Sequence, residues 1–275
     1  IATFFFSLMG SFVKIGANRF SSVELVFYRS FISLLFLFIY IVISQKELKT
    51  PNLRKQIDRG VVGFLSLAFF FYAIAHLNLG SAMTLNYTSP IFLGFFLPFI
   101  SHQKIKKSIL MCTIIGFIGA LLILDPHGEW QSWFAGLVGL ISGIGAALAY
   151  IHVIQLSRLN EPDWRTVFYF TLVSTVGSGL WISFNDCQKL VWDDMWILIP
   201  LGLSATIAQI AMTRAYRLGN TLVIGALSYL TIVFSGVISL LYFNETMRIE
   251  DLIGAALIIM SGAIASNISL KSRIN

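Results

Sequence analysis

Charge is scarce in this chain. Lys, Arg, Asp and Glu make up 12% of its 275 residues, about half of the roughly 25% found in soluble domains. With 57% hydrophobic residues and a mean hydropathy of +0.81, a chain of this length cannot hide its apolar segments in one water-bathed globule. Lipid must be the solvent for much of its surface, so an all-α polytopic membrane protein is expected. Cysteine is nearly absent. Cys112 sits in an apolar run and Cys187 in a polar loop, a spacing that supports neither a disulfide framework nor a metal cluster. Acidic residues are few, 13 against 19 basic ones, and every Asp falls in or near a loop, which removes a buried aspartyl pair. No HExxH metal motif occurs. No cofactor, metal or catalytic group is therefore expected.

Long apolar runs are what the chain has in abundance. A helix needs roughly 20 apolar residues to cross a bilayer. Ten runs are predicted as spans, at about 1–16, 23–43, 60–77, 82–101, 109–124, 134–156, 166–184, 195–214, 221–241 and 251–269. The chain opens at Ile1 inside the first run, without a methionine. A short cytoplasmic start is expected to precede it, and no signal-peptide cleavage pattern precedes the second run. The stretch Leu79–Ile123 is echoed by Leu218–Ile264: Leu79-Gly80 matches Leu218-Gly219, Ser89 matches Ser228, and Gly119 matches Gly262. The fold expected is ten transmembrane helices in two five-helix repeats, residues 1–126 and 127–275. An odd number of helices per repeat inverts the second against the first. The break falls at DPHGEWQSW, residues 125–133, where Trp130 and Trp133 suit the membrane interface, as do Trp192 and Trp196.

The net charge of +6 is a topology signal. Most basic residues fall in one alternating set of loops, QKELKTPNLRKQIDR, HQKIKK, SRLNEPDWR, the Arg214–Arg217 turn and the tail KSRIN. The opposite set holds Arg19, Lys189 and Arg248 among Asp125, Glu129, Asp186, Asp193, Asp194, Glu245, Glu250 and Asp251. The positive-inside rule then places both termini in the cytoplasm, and nucleic acid has no part in the account.

Ionisable and polar residues inside spans are costly and mark candidate sites. Lys14 lies near the outer end of the first span, with Glu24 and Arg29 on the second. Arg29 is roughly 8 Å deeper than Glu24 and about 140° around the helix. Glu24 is expected near the solvated boundary, with Lys14 able to pair with it across the turn GANRFSS. These two, with Pro90, are assigned structural or gating roles. Tyr72 and His76 share a face of the third span. Asn86 and Tyr87 precede Pro90, which is expected to interrupt the fourth. Ser142, Ala149 and His152 align on the sixth, Thr206, Gln209 and Thr213 on the eighth, and Ser228, Ser235 and Ser239 beside Tyr229 on the ninth. The substrate-binding residues expected are Arg29, Tyr72, His76, Asn86, Tyr87, His152, Gln209 and Tyr229, with Tyr150 as a further aromatic. Gly136, Gly139, Gly143 and Ala147 on the sixth span, and Gly254, Ala255, Gly262 and Ala263 on the tenth, read as close helix contacts.

These features resemble the drug/metabolite transporter superfamily, in its EamA-type members, over essentially the whole chain. ELVFYRS resembles the family's arginine-bearing second helix. LGSAMTLNYTSPIF resembles the opening of its fourth, and NETMRIEDLIGAALIIMSGAI the end of its ninth through its tenth. Glu245 matches the acidic residue usual after the ninth helix, whereas the equivalent place after the fourth carries His102. The run from Lys14 through Glu24 to Arg29 is also similar to that of S-adenosylmethionine uptake members. The resemblance implies secondary transport of an amino acid or S-adenosylmethionine-like metabolite through a central cavity, by alternating access. The partners expected are that small molecule and membrane lipid, with a homodimer as candidate assembly. Channel and intramembrane enzyme are the alternatives. No ring of like charges or repeated filter loop marks a channel. Gly202-Leu203-Ser204-Ala205 looks like a rhomboid serine motif, but the base must follow the serine and all four histidines (His76, His102, His127, His152) precede it.

Overall fold

The computed structural model describes residues 1–76, 79–100, 106–124, 133–184, 187–242 and 248–274. The predicted features at Trp130, His127, His102, Asp125, Glu129, Asp186 and Glu245 lie outside these residues. Twelve α-helices run in chain order: α1 (Ala2–Gly16), α2 (Ser22–Ile43), α3 (Leu53–His76), α4 (Leu79–Asn86), α5 (Ser89–Ile100), α6 (Lys107–Leu124), α7 (Trp133–Arg158), α8 (Asp163–Ser183), α9 (Met195–Leu218), α10 (Thr221–Ser228), α11 (Leu230–Tyr242) and α12 (Ile249–Ile274). A single 3-10 turn, Trp192–Asp194, leads into α9. Among the described residues, seven helical segments are long and apolar enough to cross a membrane, and α1 and α6 are shorter apolar helices.

Two departures from the expected spans matter. The ninth run is split into α10 and α11 at Tyr229, as the fourth is into α4 and α5 around Tyr87–Thr88. The fourth run is interrupted just before Pro90, as expected, because the proline's missing N–H leaves the Asn86 carbonyl without a helical partner. Pro90 is the second residue of α5, in the first turn, where a missing N–H costs nothing. Ser89 opens α5 whereas Ser228 closes α10, so the two matched serines fall on opposite sides of their breaks. The second departure is at α3, which begins at Leu53. Arg54, Lys55, Asp58 and Arg59 are consequently helical residues, not loop residues.

The chain forms two compact units, each drawing on both halves of the sequence: 1–64 with 152–217, and 65–151 with 218–275. In the first unit, α2 lies along α8. Leu37, Ile41, Val167 and Phe168 bury together there, and Phe20, Leu25, Leu198 and Leu201 form a second cluster with α9. Small residues permit these approaches. A Cβ on Gly202 would meet the Ile32 side chain at 2.4 Å, and one on Gly177 would meet the Phe64 ring at the same distance. In the second unit, α6 packs along α12. The backbones of Gly119 and Gly254 nearly touch, since a Cβ on either would lie 2.5–2.6 Å from the other's carbonyl oxygen. Gly254, expected to mark a helix contact, does so here.

Helix ends in the first unit are set by specific caps. Ser21 and Glu24 form a capping box at the start of α2, Ser21 N–H donating to Glu24 Oε2 at 2.7 Å. Two helices end in left-handed residues, Gln45 (φ 49°) after α2 and Asn160 (φ 57°) after α7. In both, the following amide bonds back to the last turn: Lys46 N to Ile41 O at 3.0 Å and Glu161 N to Leu156 O at 3.1 Å. This is the Schellman arrangement, and it aims Lys46 and Glu161 sharply out of their helices.

Glu161 is 4% exposed and ties three segments together. Its carboxylate accepts hydrogen bonds from Thr50 Oγ1, from Asn52 Nδ2 at 2.8 Å, from Gln56 Nε2 at 3.3 Å and from Arg165 Nη1 at 2.9 Å. Arg165 also donates to Glu47 O at 2.7 Å, and Tyr169 Oη to Leu48 O at 3.1 Å. Burial alone would push the Glu161 carboxyl up, but the Asn52, Thr50 and Arg165 contacts outweigh it and hold it below its ordinary value. The stabilisation is therefore complete above the unfolded-state value of about 4.3 and is lost as pH falls through the lower folded value. Glu161→Gln should cost about 1.5–3 kcal/mol at neutral pH, the scale of a charged hydrogen-bond network. It should also flatten the loss of stability below about pH 4. Thermal unfolding in detergent from pH 3 to 8 checks both, and an acid limb unchanged in the variant would remove Glu161 as its source.

Candidate functional site

Polar and aromatic side chains gather at the two helix breaks, both in the second unit. A break exposes backbone groups that lipid cannot satisfy. Here each is mended by a hydroxyl at the break: Thr88 Oγ1 donates to Leu85 O at 2.6 Å, and Ser228 Oγ to Gly225 O at 2.7 Å. Asn220 caps the start of α10, its Oδ1 accepting from Leu222 N at 3.2 Å. α7 supports the first break directly. Ser142 Oγ accepts from Asn86 Nδ2 at 3.2 Å and donates to Gly139 O at 2.6 Å. Ser66 on α3 donates to the Ser142 carbonyl at 2.8 Å. A Cβ on Gly143 would lie 2.5 Å from Thr88 Oγ1 and 2.6 Å from the Leu85 carbonyl oxygen. Only glycine lets α7 come this close.

Two tyrosines meet between the breaks. The Tyr87 and Tyr229 rings are 6.2 Å apart and tilted by 46°, and Phe117 lies 6.2 Å from Tyr229 on another side. Tyr87 hydrogen-bonds the Thr231 side chain, with Tyr150 close enough to act on it electrostatically. Tyr229 is fully buried, and its hydroxyl meets no hydrogen-bond partner among the described residues. A buried phenol without a partner is costly, which makes Tyr229 the group in this cluster with bonding capacity to spare. Asn86, Tyr87 and Tyr229, expected from sequence as separate stripes, thus belong to one neighbourhood. Tyr72 and His76 form another. Their rings stack at 4.1 Å, His76 Nδ1 lies 2.9 Å from Tyr72 O, and Phe134 meets Tyr72 edge-on. Both are exposed at the surface of the unit.

The first unit holds Arg29, His152 and Gln209. Arg29 is buried on α2, one turn before Ser33, whose Oγ donates to Gly202 O at 3.0 Å. Gln209 is buried on α9 and His152 half-buried on α7. Glu24 departs from expectation, because it is not solvated. It is 3% exposed, and beside the capping box its Oε1 accepts from Gln188 N at 2.7 Å. It therefore serves to fix the start of α2. Lys14 is exposed at the end of α1. Arg19, counted as a loop charge, bonds Asp194 at 2.9 Å.

One residue escaped the sequence reading. Arg59 is 3% exposed, with its guanidinium 4.3 Å over the Phe170 ring, and its charge acts on His152. It lies over Gly63, where a Cβ would meet Nη1 at 2.3 Å. The signal was present in the sequence: Gly63 follows Arg59 one helical turn on and leaves room for its guanidinium.

A model of the EamA-like transporter family matches residues 1–125 and again 133–267. An uncharacterized transporter of Helicobacter pylori is 33% identical over 274 residues, covering 96% of this chain and 91% of its own. The pseudopaline exporter CntI of Pseudomonas aeruginosa is 28% identical, covering 95% and 92%. The S-adenosylmethionine uptake transporter of Rickettsia bellii is 23% identical, covering 88% and 82%. A protein of known crystal structure superposes with a TM-score of 0.83 over 98% of both chains at 17% identity, so the fold is shared with it.

The packing at the first break makes a direct prediction. Gly143→Ala must displace the Leu85 carbonyl or α7 itself, and should lower stability by about 1–3 kcal/mol as an overpacked contact. Gly10→Ala, where nothing lies within 4 Å, should be neutral or stabilising by up to about 1 kcal/mol through helix propensity. Melting temperatures of the two purified variants compare them. Equal behaviour would mean that the break does not depend on α7.

Proposed function

The chain belongs to the EamA-like transporter family, and from that premise we propose that it is a secondary transporter moving a small metabolite by alternating access. In this reading residues 1–126 and 127–275 are two inverted repeats of five spans, α4 with α5 counting as one span and α10 with α11 as another. Both termini face the cytoplasm, as the Lys and Arg distribution favours, and the protein sits in the inner membrane of a bacterium. The observation that carries the proposal is the pair of matched breaks. In each half an eight-residue helix, α4 or α10, is followed by a short interruption and a second helix of 12 or 13 residues. Interrupted backbone at membrane depth is tolerated where it lines a cavity or is buried in protein, and paired interruptions in the two halves are the feature by which transporters build midplane sites.

Asn86, Tyr87 and Tyr229 form the centre of the proposed site, with Tyr72 and His76 at its rim. Arg29, His152 and Gln209, which belong to the first unit, are proposed as substrate-binding residues on their chemistry alone. Arg29 would meet a carboxylate, and the aromatic rings would stack on an amphiphilic or cationic portion of the solute. An amino acid or S-adenosylmethionine-like metabolite has both features. Relatives are named for pseudopaline export and for S-adenosylmethionine uptake, so the direction of transport is for experiment to assign.

The test is uptake into proteoliposomes of amino acids, S-adenosylmethionine, a cationic dye and a nucleoside, with and without a pH gradient or preloaded solute. Saturable uptake of one solute is expected. Arg29→Gln and His76→Ala, folded and reconstituted like the parent, should each reduce it. For Arg29→Gln the loss should be on the order of tenfold or more, the scale of one charged hydrogen bond. Unsaturable, unselective flux would replace the carrier by a channel, and unchanged uptake in both variants would displace the site.

A further inference from the structure

A second feature of the first unit has no role in the transport reading. Between α2, the start of α8 and α9 lies a cavity of about 550 Å³, lined among others by Phe36, Tyr40, Lys46, Trp164, Arg214 and Arg217. That volume is within the range of small-molecule sites. Its lining changes character along its length. On α9, Thr206, Ile210, Arg214 and Arg217 follow one another at helical spacing over roughly 16 Å, uncharged at one end and cationic at the other. On α2 the sequence is the same: Phe36 and Leu37, then Tyr40, then Lys46 just past the Schellman cap. Both gradients run toward the ends of α2 and α9 that meet the start of α8.

The polar end is a cation cluster in an aromatic setting. Lys46 Nζ hydrogen-bonds Tyr40 Oη and lies 4.3 Å over the Tyr40 ring and 5.6 Å over Trp164. The one carboxylate in the lining, Asp163, is 3.5 Å from Arg217, which leaves a surplus of positive charge. The N-cap of α8 is Pro162, with no side chain capping the first-turn amides, and Pro162 itself lines the cavity. The positive end of a 21-residue helix therefore adds to the same field. At the other end Phe36 is 37% exposed on a spanning helix, the surface lipid chains would cover.

From this gradient we propose that the cavity is a binding site for an anionic phospholipid. The phosphate sits among Lys46, Arg214 and Arg217, with its acyl chains against Phe36, Leu37 and Ile210. A soluble phosphate would have no use for the apolar half, and a zwitterionic lipid would bring a second cation into a cluster that already has an excess. The proposal requires only that α2, α8 and α9 span a bilayer, so it stands or falls separately from the transported solute.

The full chain in mild detergent would be titrated with phosphatidylglycerol, with phosphatidylcholine of the same chains, and with inorganic phosphate, following bound lipid by native mass spectrometry. Saturable binding of phosphatidylglycerol alone is expected. The double variant Lys46→Gln/Arg214→Gln should weaken it on the order of 30-fold, the effect of removing two surface cations, while Arg214→Lys should retain it. Equal binding of phosphatidylcholine, or displacement of the lipid by inorganic phosphate, overturns the proposal. So does unchanged phosphatidylglycerol affinity in the double variant. Should that variant not fold, a photoactivatable phosphatidylglycerol on the parent chain decides instead. Labelling of the Phe36–Lys46 or Arg214–Arg217 segments supports the site, and labelling confined to other segments refutes it.

Discussion

Lipid offers a backbone no hydrogen-bond partner, and most of what is distinctive in this protein follows from that constraint. Long uninterrupted helices satisfy it without help. At Tyr87–Thr88 and at Tyr229 the chain leaves the helix, so other groups must satisfy the freed carbonyls. Thr88 and Ser228 do so from within the chain, and at the first break α7 adds the Ser142 contact and the bare backbone of Gly143. The interruptions are thus supported features, and their support consumes small and hydroxylated residues that would otherwise look incidental.

The same constraint gives each buried charge a definite task. Glu24 is taken up in starting α2 and receiving the Gln188 amide. Glu161 is taken up in holding the segment after α2 and the start of α3 against the link between α7 and α8. Arg59 rests on an aromatic face. These groups are expensive to bury and strongly destabilising to leave alone, so their local networks hold the first unit in register.

The polar groups around the breaks differ in kind. Asn86 has one partner in Ser142, Tyr87 has Thr231, and Tyr229 buries a hydroxyl with none among the described residues. A structural network tends toward full satisfaction, and this one retains capacity. A transporter needs such a place, where a solute can be held without leaving the protein irreversibly committed. The cation cluster by α8 differs again: Arg214 and Arg217 are exposed, and Phe36 at the far end of the same cavity is partly so.

The membrane setting, the helical class and the approximate spans were legible in the sequence, because hydropathy over some 20 residues reports directly on the solvent a segment requires. The close contacts at Gly139, Gly143 and Gly254 were legible for a similar reason, since small residues in apolar helices have few other uses. So was the transporter family, through motifs spread along the whole chain. The first break was legible through Pro90, but the second was not. Thr221–Tyr242 contains no proline, and its interruption at Tyr229 depends on groups that mend the freed carbonyls. The burial of Glu24 and Arg59 was hidden likewise, because a charge beside an apolar run reads as solvated until its neighbours are known. Composition and periodicity determined which segments enter the bilayer. Local chemistry at Pro90 marked the first interruption, whereas tertiary packing decided the second and which polar side chains would be gathered at both.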